Sequence, residues 1–458
     1  MWMHDASSIR HSAAAVVLLG AVSILTANVR AVLADDDVPT IKLTNRVPYG
    51  RQPVDYFGTE LNDAVSEVSQ QLDAGKAQLV ADDRFGYLLS ALELLNVPLE
   101  SQVLVYSKTA RSPDLVSPKT PRAIFFNDEV SVAWIPESRE LEITAVDPVK
   151  GINFYTISQP TDFQVADREK HQEGAVTGAS EGSPRFIRRD RCLACHAGRS
   201  TLEVPGLLLR AFQTDRMGKP VVGYSRVTHD LSYEKRWGGW YVTGSPPQLI
   251  HRGNLISQNE NARHKATPGF ASSLDDLSQK FDVDGYPYFR SDLVAHLVLA
   301  HQVHGTNLLI RAGLESRLNR RSDVETQLLR YFVFADEARL ELSPEVAASV
   351  WTTSEFARTF ESRGPDTPAG DSLRRLSLTG RVFKHRLSYL IYSRMFDELT
   401  VECRNRLLNR LWEGLHSGSD DEDFGHISDE ERRSIIAIVR ATVPRLPMSW
   451  HDDSSIED

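Results

Sequence analysis

Hydrophobic positions change their spacing along this chain, and each change indicates a different type of structure. Residues 55–97 carry helical patterning, as in YLLSALELL at 87–95. From residue 102 the pattern becomes a series of short runs rich in β-branched and aromatic residues, separated in several places by turn-forming residues. The runs are VLVYSK, AIFFND, VSVAWI, LEITAV and NFYTIS. This pattern predicts a β-meander that ends near Gln159.

Helical spacing returns in the second half, from about Leu274 to Arg440, with breaks at Gly364-Pro365 and at residues 417–423. Between the two halves, residues 160–185 are polar and glycine-rich, which predicts a loop. RWGGWYVTG at 236–244 predicts a strand that is interrupted where another backbone comes close. The predicted fold class is therefore α+β, with a β-meander-rich N-terminal half and a mainly helical C-terminal half.

The first 34 residues have the features of an export signal. Arg10 precedes a 15-residue apolar run, AAAVVLLGAVSILTA, and small residues up to Ala34 precede three aspartates. The run is short for a membrane span, and the alternative is an uncleaved N-terminal anchor. Both interpretations predict a periplasmic or otherwise exported protein. No other stretch approaches 18 uninterrupted apolar residues, so no membrane span is expected in the mature chain.

Composition narrows the classes of partner. The chain has 458 residues, of which 41% are hydrophobic and 25% charged, as is typical of a globular protein with a sizeable core. The formal net charge is −10, so no positive field would attract a polyanion, and nucleic-acid binding is not expected. A redox partner protein that docks on this surface would carry basic residues.

Two of the three cysteines stand close together in RCLACHAGRS at 191–200. Cys192, Cys195 and His196 have the CxxCH spacing of covalent haem c attachment. Two thiols three positions apart can each bond to a haem vinyl group, and the histidine that follows can bind the iron as the proximal ligand. Attachment takes place outside the cytoplasm, in agreement with the predicted export. The motif occurs once, so one covalent haem c is expected.

A zinc site, a redox dithiol and a plain disulfide are the alternative uses of these two thiols. Zinc needs two further ligands, and the chain contains neither a second CxxC nor an HxxxH pair. A thioredoxin-type dithiol opens a helix within a βαβ pattern, whereas a glycine-rich loop and an arginine-rich run precede Cys192. Cys403 lies in a helical pattern and is predicted to be a buried, inert thiol.

The second axial position of the iron is left open by the sequence. Histidine or methionine there would make an electron-transfer centre, whereas a vacant position would allow ligand binding or peroxide chemistry. His301 is the first candidate metal ligand, because it falls on the apolar stripe of a helix predicted to follow an N-cap at Ser291. The alternative for His301 is a core histidine hydrogen-bonded to backbone. His296 points away from that stripe, and His304 lies at its margin.

Further candidates for the second axial position are Met217, His251 and His229. Two clusters near the motif offer contacts to the haem itself. One is the group of arginines at 185, 188, 189 and 191, which would pair with haem propionates or form a solvated basic turn. The other is Trp237, Trp240 and Tyr241, which would stack on the macrocycle or belong to ordinary aromatic core.

Longer motifs surround the cysteines: CLACHAG, VPGLLLR, RWGGWYVTG, HRGN and SDLVAHLVLAHQ, in this order. In these motifs the chain resembles a group of uncharacterised exported bacterial proteins that carry one CxxCH. PRAIFFNDEVSVAWI and YLIYSRMFDEL are similar to the same group, so the resemblance covers most of the mature chain. It implies a cytochrome-c-like domain within a larger scaffold, with haem binding and electron transfer as activities. The group has a Met-His pair where this chain has Gly305-Thr306, which argues against a methionine ligand from that helix.

Taken together, these features predict an exported single-haem c-type cytochrome that transfers electrons. A haem enzyme with an open iron site, peroxidase-like or acting on a small molecule, and a non-catalytic haem structural or sensor module remain alternatives. The predicted regions are a signal peptide at 1–34, a helix and β-meander at 35–159, a haem c-binding cytochrome-like region at 160–310, a helical region at 311–451 and an acidic tail at 452–458.

Overall fold

The structure, a computed structural model, is built around an antiparallel sheet and one long buried helix. The structure describes residues 46–160, 184–256, 274–320, 322–418 and 421–451. The predicted signal peptide, the acidic tail and most of the predicted glycine-rich loop lie outside these ranges.

Within the described ranges the secondary structure follows the predicted change from strands to helices. The strands are β1 Val103–Val105, β2 Arg122–Phe126, β3 Val130–Trp134, β4 Glu140–Asp147, β5 Gly151–Ser158, β6 Ile187–Arg188, β7 Arg210–Thr214, β8 Pro220–Arg226 and β9 Trp240–Tyr241. The helices are α1 Ala64–Asp73, α2 Leu88–Leu94, α3 Leu193–His196, α4 Leu293–Arg317, α5 Val324–Phe332, α6 Pro344–Thr353, α7 Glu355–Ser362, α8 Arg394–Asp397, α9 Val401–His416 and α10 Asp429–Thr442. The α+β class, with a β-rich first half and a helical second half, is confirmed.

The strands β1 to β5 each pair antiparallel with their neighbours in the chain, so the predicted β-meander is confirmed. Two short strands from later in the chain complete the sheet: β6 pairs with β5 at one edge, and β9 pairs with β1 at the other. The predicted 35–159 and 160–310 regions therefore share one sheet. The strands β7 and β8 form a separate two-stranded hairpin.

Both faces of the sheet are covered, which explains why β5 is buried along almost its whole length. Tyr155 and Ile157 belong to a hydrophobic cluster that includes α1 and α2. Ile152 and Phe154, which alternate with them, belong to a larger cluster formed with the helical half. That larger cluster extends to Trp450, so the predicted haem-binding and helical regions share a core.

The helix α4 is buried on every side from Leu293 to Glu315, which differs from the predicted amphipathic stripe. His296, which the stripe placed on the outer side, is fully buried. Among the described helices, α4 has the length and apolar composition of a membrane span, and the apolar part is enclosed by the protein. Periodicity located this helix but did not show its burial, because elements distant in sequence cover its second face.

The first turn of α4 is capped by Asp292 rather than by the predicted Ser291. The Asp292 carboxylate accepts hydrogen bonds from the amides of Val294 and Ala295, at 2.8 and 3.3 Å. Ser291 lies one residue earlier, and its hydroxyl donates to the Tyr241 carbonyl in β9. The start of the core helix is thereby tied to the edge of the sheet.

Residues 363–393 contain turns and isolated bridges where helical spacing suggested a longer helical region. The predicted break at Gly364-Pro365 is present, but the irregular segment continues to the single 3-10 turn at Tyr389–Tyr392. Pro365 and Pro368 cannot donate within a helix, and Gly370 and Gly380 adopt positive φ values of 79° and 73°. These residues explain why the helix does not form.

Replacing Asp292 tests the cap of the core helix. Asp292→Ala leaves two buried amides without an acceptor, and we expect the free energy of unfolding to fall by about 1–2 kcal/mol. Asp292→Asn keeps a side-chain oxygen and should retain most of that stability. Urea unfolding of both variants measures the difference, and an equal loss in the two would show that the charge, and not the acceptor oxygen, matters.

Candidate functional site

The CxxCH motif lies on one short helical element. Asp190–Cys192 forms a 3-10 turn, and α3 continues it to His196. Positions three and four apart lie on the same face of such an element, so Cys192, Cys195 and His196 project to one side. Cys192 is half-buried, Cys195 is exposed, and neither forms a disulfide. Both thiols are therefore accessible next to the histidine.

The His196 imidazole is held through one of its two nitrogens. Its Nδ1 lies 3.0 Å from the Gly206 carbonyl oxygen, and the Gly206 amide donates in return to the His196 carbonyl at 2.9 Å. The Nε2 atom makes no hydrogen bond within the described residues. A carbonyl acceptor at Nδ1 selects the tautomer with its lone pair on Nε2, which is the form that binds a metal.

The protonation states at the motif suit a metal ligand better than a reactive dithiol. Burial lowers the pKa of His196 to about 4, and the charges of Arg210 and Arg122 act in the same direction. The ring is therefore neutral at physiological pH. Burial raises the pKa of the Cys192 thiol, whereas redox dithiols depend on a lowered thiol pKa.

The segment that carries Gly206 is fixed by its neighbours on two sides. From α4, the buried Asn307 amide donates to the Leu207 carbonyl at 2.9 Å and accepts from the Leu207 amide at 2.8 Å. From the sheet, the Ile152 amide donates to the Pro205 carbonyl at 3.0 Å. The carbonyl that orients the motif histidine is thus held by both the sheet and the core helix.

The hairpin of β7 and β8 borders the CxxCH loop. Arg210 and Arg226 stand opposite each other in the antiparallel register, so their side chains lie on the same face. The Arg210 guanidinium lies 4.7 Å from the ring centre of Tyr224, whose hydroxyl is 2.7 Å from the Ser200 Oγ. This face of the hairpin is therefore turned toward the loop that follows the motif.

Both hairpin arginines have hydrogen-bonding capacity that the described residues do not use. The Nε atoms of Arg210 and Arg226 are buried and have no hydrogen-bond partner. Buried guanidinium groups normally pair with carboxylates. The two propionates of a haem would supply such carboxylates, so this arginine pair fits a haem bound at the motif.

Three of the four predicted arginines before the motif are engaged with the protein instead, and Arg191 is exposed. Arg188 donates to backbone carbonyls, Arg189 forms an ion pair with Glu140 at 3.2 Å, and Arg185 pairs with Asp73 on the surface at 3.5 Å. Their contacts with haem propionates stay a prediction. Such contacts would require these arginines to give up the bonds that they form within the protein. The sequence offered no sign of the hairpin pair, because the strand register joins two arginines that are distant in the chain.

The aromatic cluster belongs to the protein core. Trp237, Trp240 and Tyr241 are all buried. A Cβ atom added to Gly238 would lie 2.6 Å from the Phe212 carbonyl oxygen, so the predicted close backbone approach is present. The approaching backbone belongs to β7, which explains the glycine without a macrocycle.

His301 and His229 bond to each other in the core. Their Nδ1 atoms are 2.8 Å apart, and the Nε2 atom of His301 lies 2.7 Å from the Ser388 Oγ. Their rings stack on Tyr331. This is the hydrogen-bonded core histidine considered as the alternative for His301, although its partners are side chains rather than backbone. Iron binding through Nε2 of His301 would require the bond to Ser388 to break.

The two remaining predicted ligands are also poorly placed. His251 is engaged through both nitrogens, by the Ser245 Oγ at 2.9 Å and the Gly253 amide at 3.0 Å. Met217 is 62% exposed in the turn between β7 and β8. Extended strand geometry puts that turn about 15–20 Å from Arg210 at the opposite end of the hairpin.

Two further observations concern the other uses of cysteine. Across the described ranges, no group of three or more His, Cys, Asp and Glu side chains is placed to hold a metal ion. Cys403 is fully buried in α9, and burial raises the pKa of its thiol to about 12. The predicted burial of Cys403 is confirmed, and its raised pKa is consistent with the predicted inert thiol.

No protein-family model matches this chain, and neither a curated protein nor a solved structure matches it. The resemblance to exported proteins with a single CxxCH therefore stays an expectation. Function has to be inferred from the geometry of the site itself.

Replacing Asn307 tests the link between the core helix and the motif. Asn307→Ala removes both hydrogen bonds to Leu207, and we expect the free energy of unfolding to fall by about 1–3 kcal/mol, with faster amide exchange at Leu207. Asn409→Ala is the control, because the Asn409 side chain only accepts a bond from Ser449 in a half-buried position. An unchanged exchange rate at Leu207 in Asn307→Ala would contradict this account.

Proposed function

We propose that this protein is an exported c-type cytochrome that carries one covalent haem and transfers electrons. The observation that supports it most strongly is the state of the motif histidine. His196 is neutral, its Nδ1 is occupied by a carbonyl, and its Nε2 is unbonded beside two accessible thiols. A proximal haem ligand needs these three properties.

Each group of the site has a separate task in this proposal. Cys192 and Cys195 would anchor the haem through thioethers, and His196 would bind the iron through Nε2. Arg210 and Arg226 would neutralise the propionates. The haem, when bound, supplies one-electron iron redox chemistry. The polypeptide would hold the ligand ring in place and set how much water reaches it.

Export and the charge of the chain are consistent with this role. Covalent haem attachment takes place in the compartment that the predicted signal would reach. The net charge of −10 favours a basic redox partner, whose association would weaken as salt concentration rises.

A haem enzyme with an open iron site is the second candidate. It is favoured by one observation: three of the four ligands proposed from the sequence, His301, His229 and His251, are hydrogen-bonded, while Met217 lies far along the hairpin. An open position would admit peroxide or another small molecule.

Cysteine variants test haem attachment. After expression with a haem-attachment system, the wild-type mass should exceed the polypeptide mass by one haem, and a denaturing gel should retain the haem stain. Cys192→Ser and Cys195→Ser should each weaken covalent attachment, and the double variant should abolish it. Cys403→Ser is the matched control, because that thiol is buried far from the motif in sequence and should leave the stain unchanged. A wild-type protein without covalent haem would disprove the proposal.

Exogenous ligands separate electron transfer from open-site chemistry. For an electron-transfer centre, we expect a six-coordinate, low-spin spectrum and slow binding of carbon monoxide to the ferrous protein. Rapid and complete binding at low ligand concentration would favour the enzyme instead. Stopped-flow absorbance of the purified, haem-loaded protein measures the rate.

A further inference from the structure

His304 differs from the other histidines near the core helix in having no hydrogen-bond partner among the described residues. Only 5% of its surface is exposed, and its Nδ1 is buried and unpaired. By contrast, His296, His301 and His251 each form a hydrogen bond through at least one ring nitrogen. Buried imidazoles are rarely left without a partner, and a metal ion is one partner that would satisfy this one.

The face of α4 that carries His304 is the face that holds the CxxCH loop. One turn further along, Asn307 bonds to both backbone groups of Leu207. Arg311, seven positions after His304 and on the same face, donates to the Leu202 carbonyl at 2.9 Å. His304 therefore points to the side of the helix on which the motif loop lies.

The charges of the hairpin arginine pair act on both histidines. Burial lowers the pKa of His304 first, and the charge of Arg226 lowers it further. The charge of Arg210, opposite Arg226 in the hairpin, acts in the same way on His196. The charges of this arginine pair therefore act on two imidazoles, neither of which has an Nε2 partner among the described residues.

From this juxtaposition we propose that His304 provides the second axial ligand of the haem iron, through Nε2 and opposite His196. The inference rests on the proposed haem site and specifies its coordination. The His304 ring can bind iron without breaking a hydrogen bond to a described residue, whereas His301 and His251 would each have to give up at least one. Its ring contact with Tyr331, at 4.9 Å between centroids, limits that rotation from one side.

Two imidazole ligands have a defined chemical consequence. Both axial positions would be filled by neutral nitrogen donors, so the iron would be low-spin in both oxidation states and closed to peroxide. Methionine as a ligand raises the reduction potential. A centre with two histidines would therefore have a lower potential than one with histidine and methionine.

The test is the spectrum of the purified, haem-loaded full chain in its ferric state, by visible absorption and electron paramagnetic resonance. The wild type should be low-spin. His304→Ala should be high-spin or five-coordinate, should bind cyanide at least tenfold faster, and should regain the low-spin spectrum when imidazole is added. His304→Met should keep six ligands, with a sulfur-to-iron charge-transfer band and a higher potential, which provides a second readout if His304→Ala folds poorly.

His301→Ala is the matched control, because His301 is equally buried on the same helix and should leave the spin state unchanged. A low-spin spectrum in His304→Ala without added imidazole, a high-spin wild type, or a loss of the low-spin spectrum in His301→Ala would each overturn the assignment of His304. These outcomes all require covalent haem in the wild type. Absence of that haem would instead disprove the proposed function, so the two failures are distinguishable.

Discussion

Complete burial of α4 is the constraint on which the arrangement of this protein depends. A helix enclosed on all sides cannot leave its polar side chains to water, so burial of each one costs free energy unless it is paired. Asn307 binds the backbone of the motif loop, and Arg311 binds the same loop while pairing with the buried Glu315. His301 joins His229 in the stacked aromatic core. The polar residues of one helix therefore tie the sheet, the motif and the helical half together.

The same constraint bears on the proposed haem site. In a small cytochrome the cofactor itself is much of the core, but here the hydrophobic clusters are complete without it. The motif loop is rigid because Leu207 and Pro205 are bonded from two directions. The buried polar atoms that have no partner among the described residues include the Nε atoms of Arg210 and Arg226 and the Nδ1 atom of His304. Those groups have the chemistry of haem ligation and propionate binding.

The sequence predicted features whose cause is local. Alternating apolar residues located the five strands of the meander, and glycine next to tryptophan indicated the close contact at Gly238. The CxxCH motif could be recognised in the sequence because the predicted haem attachment depends on the spacing of its residues within one helical turn. Cys403 could be assigned as buried from helical periodicity alone.

Features whose cause is non-local could not be predicted in this way. The Arg210 and Arg226 pair exists only in the register of β7 with β8, sixteen positions apart. The stripe on α4 was misleading because segments far away in the chain cover the other face, and for the same reason His296 is buried. Periodicity favours His301 as the ligand, but Ser388 and His229, from two other segments, form hydrogen bonds with both of its ring nitrogens. His304 differs from His301 in having no hydrogen-bond partner among the described residues.

The position of β9 at the edge of the sheet has a consequence for the order in which the protein folds. β9 pairs with β1 across a separation of 135 positions, from Val105 to Trp240, and the cysteines lie between them in the chain. As the polypeptide is made from its N-terminus, the meander can form while the β1 edge is still unpaired, and that edge is covered only after the cysteines have emerged. In the interval between these events, CxxCH is present while β9 has not yet paired with β1. Under the proposed function, an enzyme that attaches haem to an unfolded segment would act on the motif in this interval.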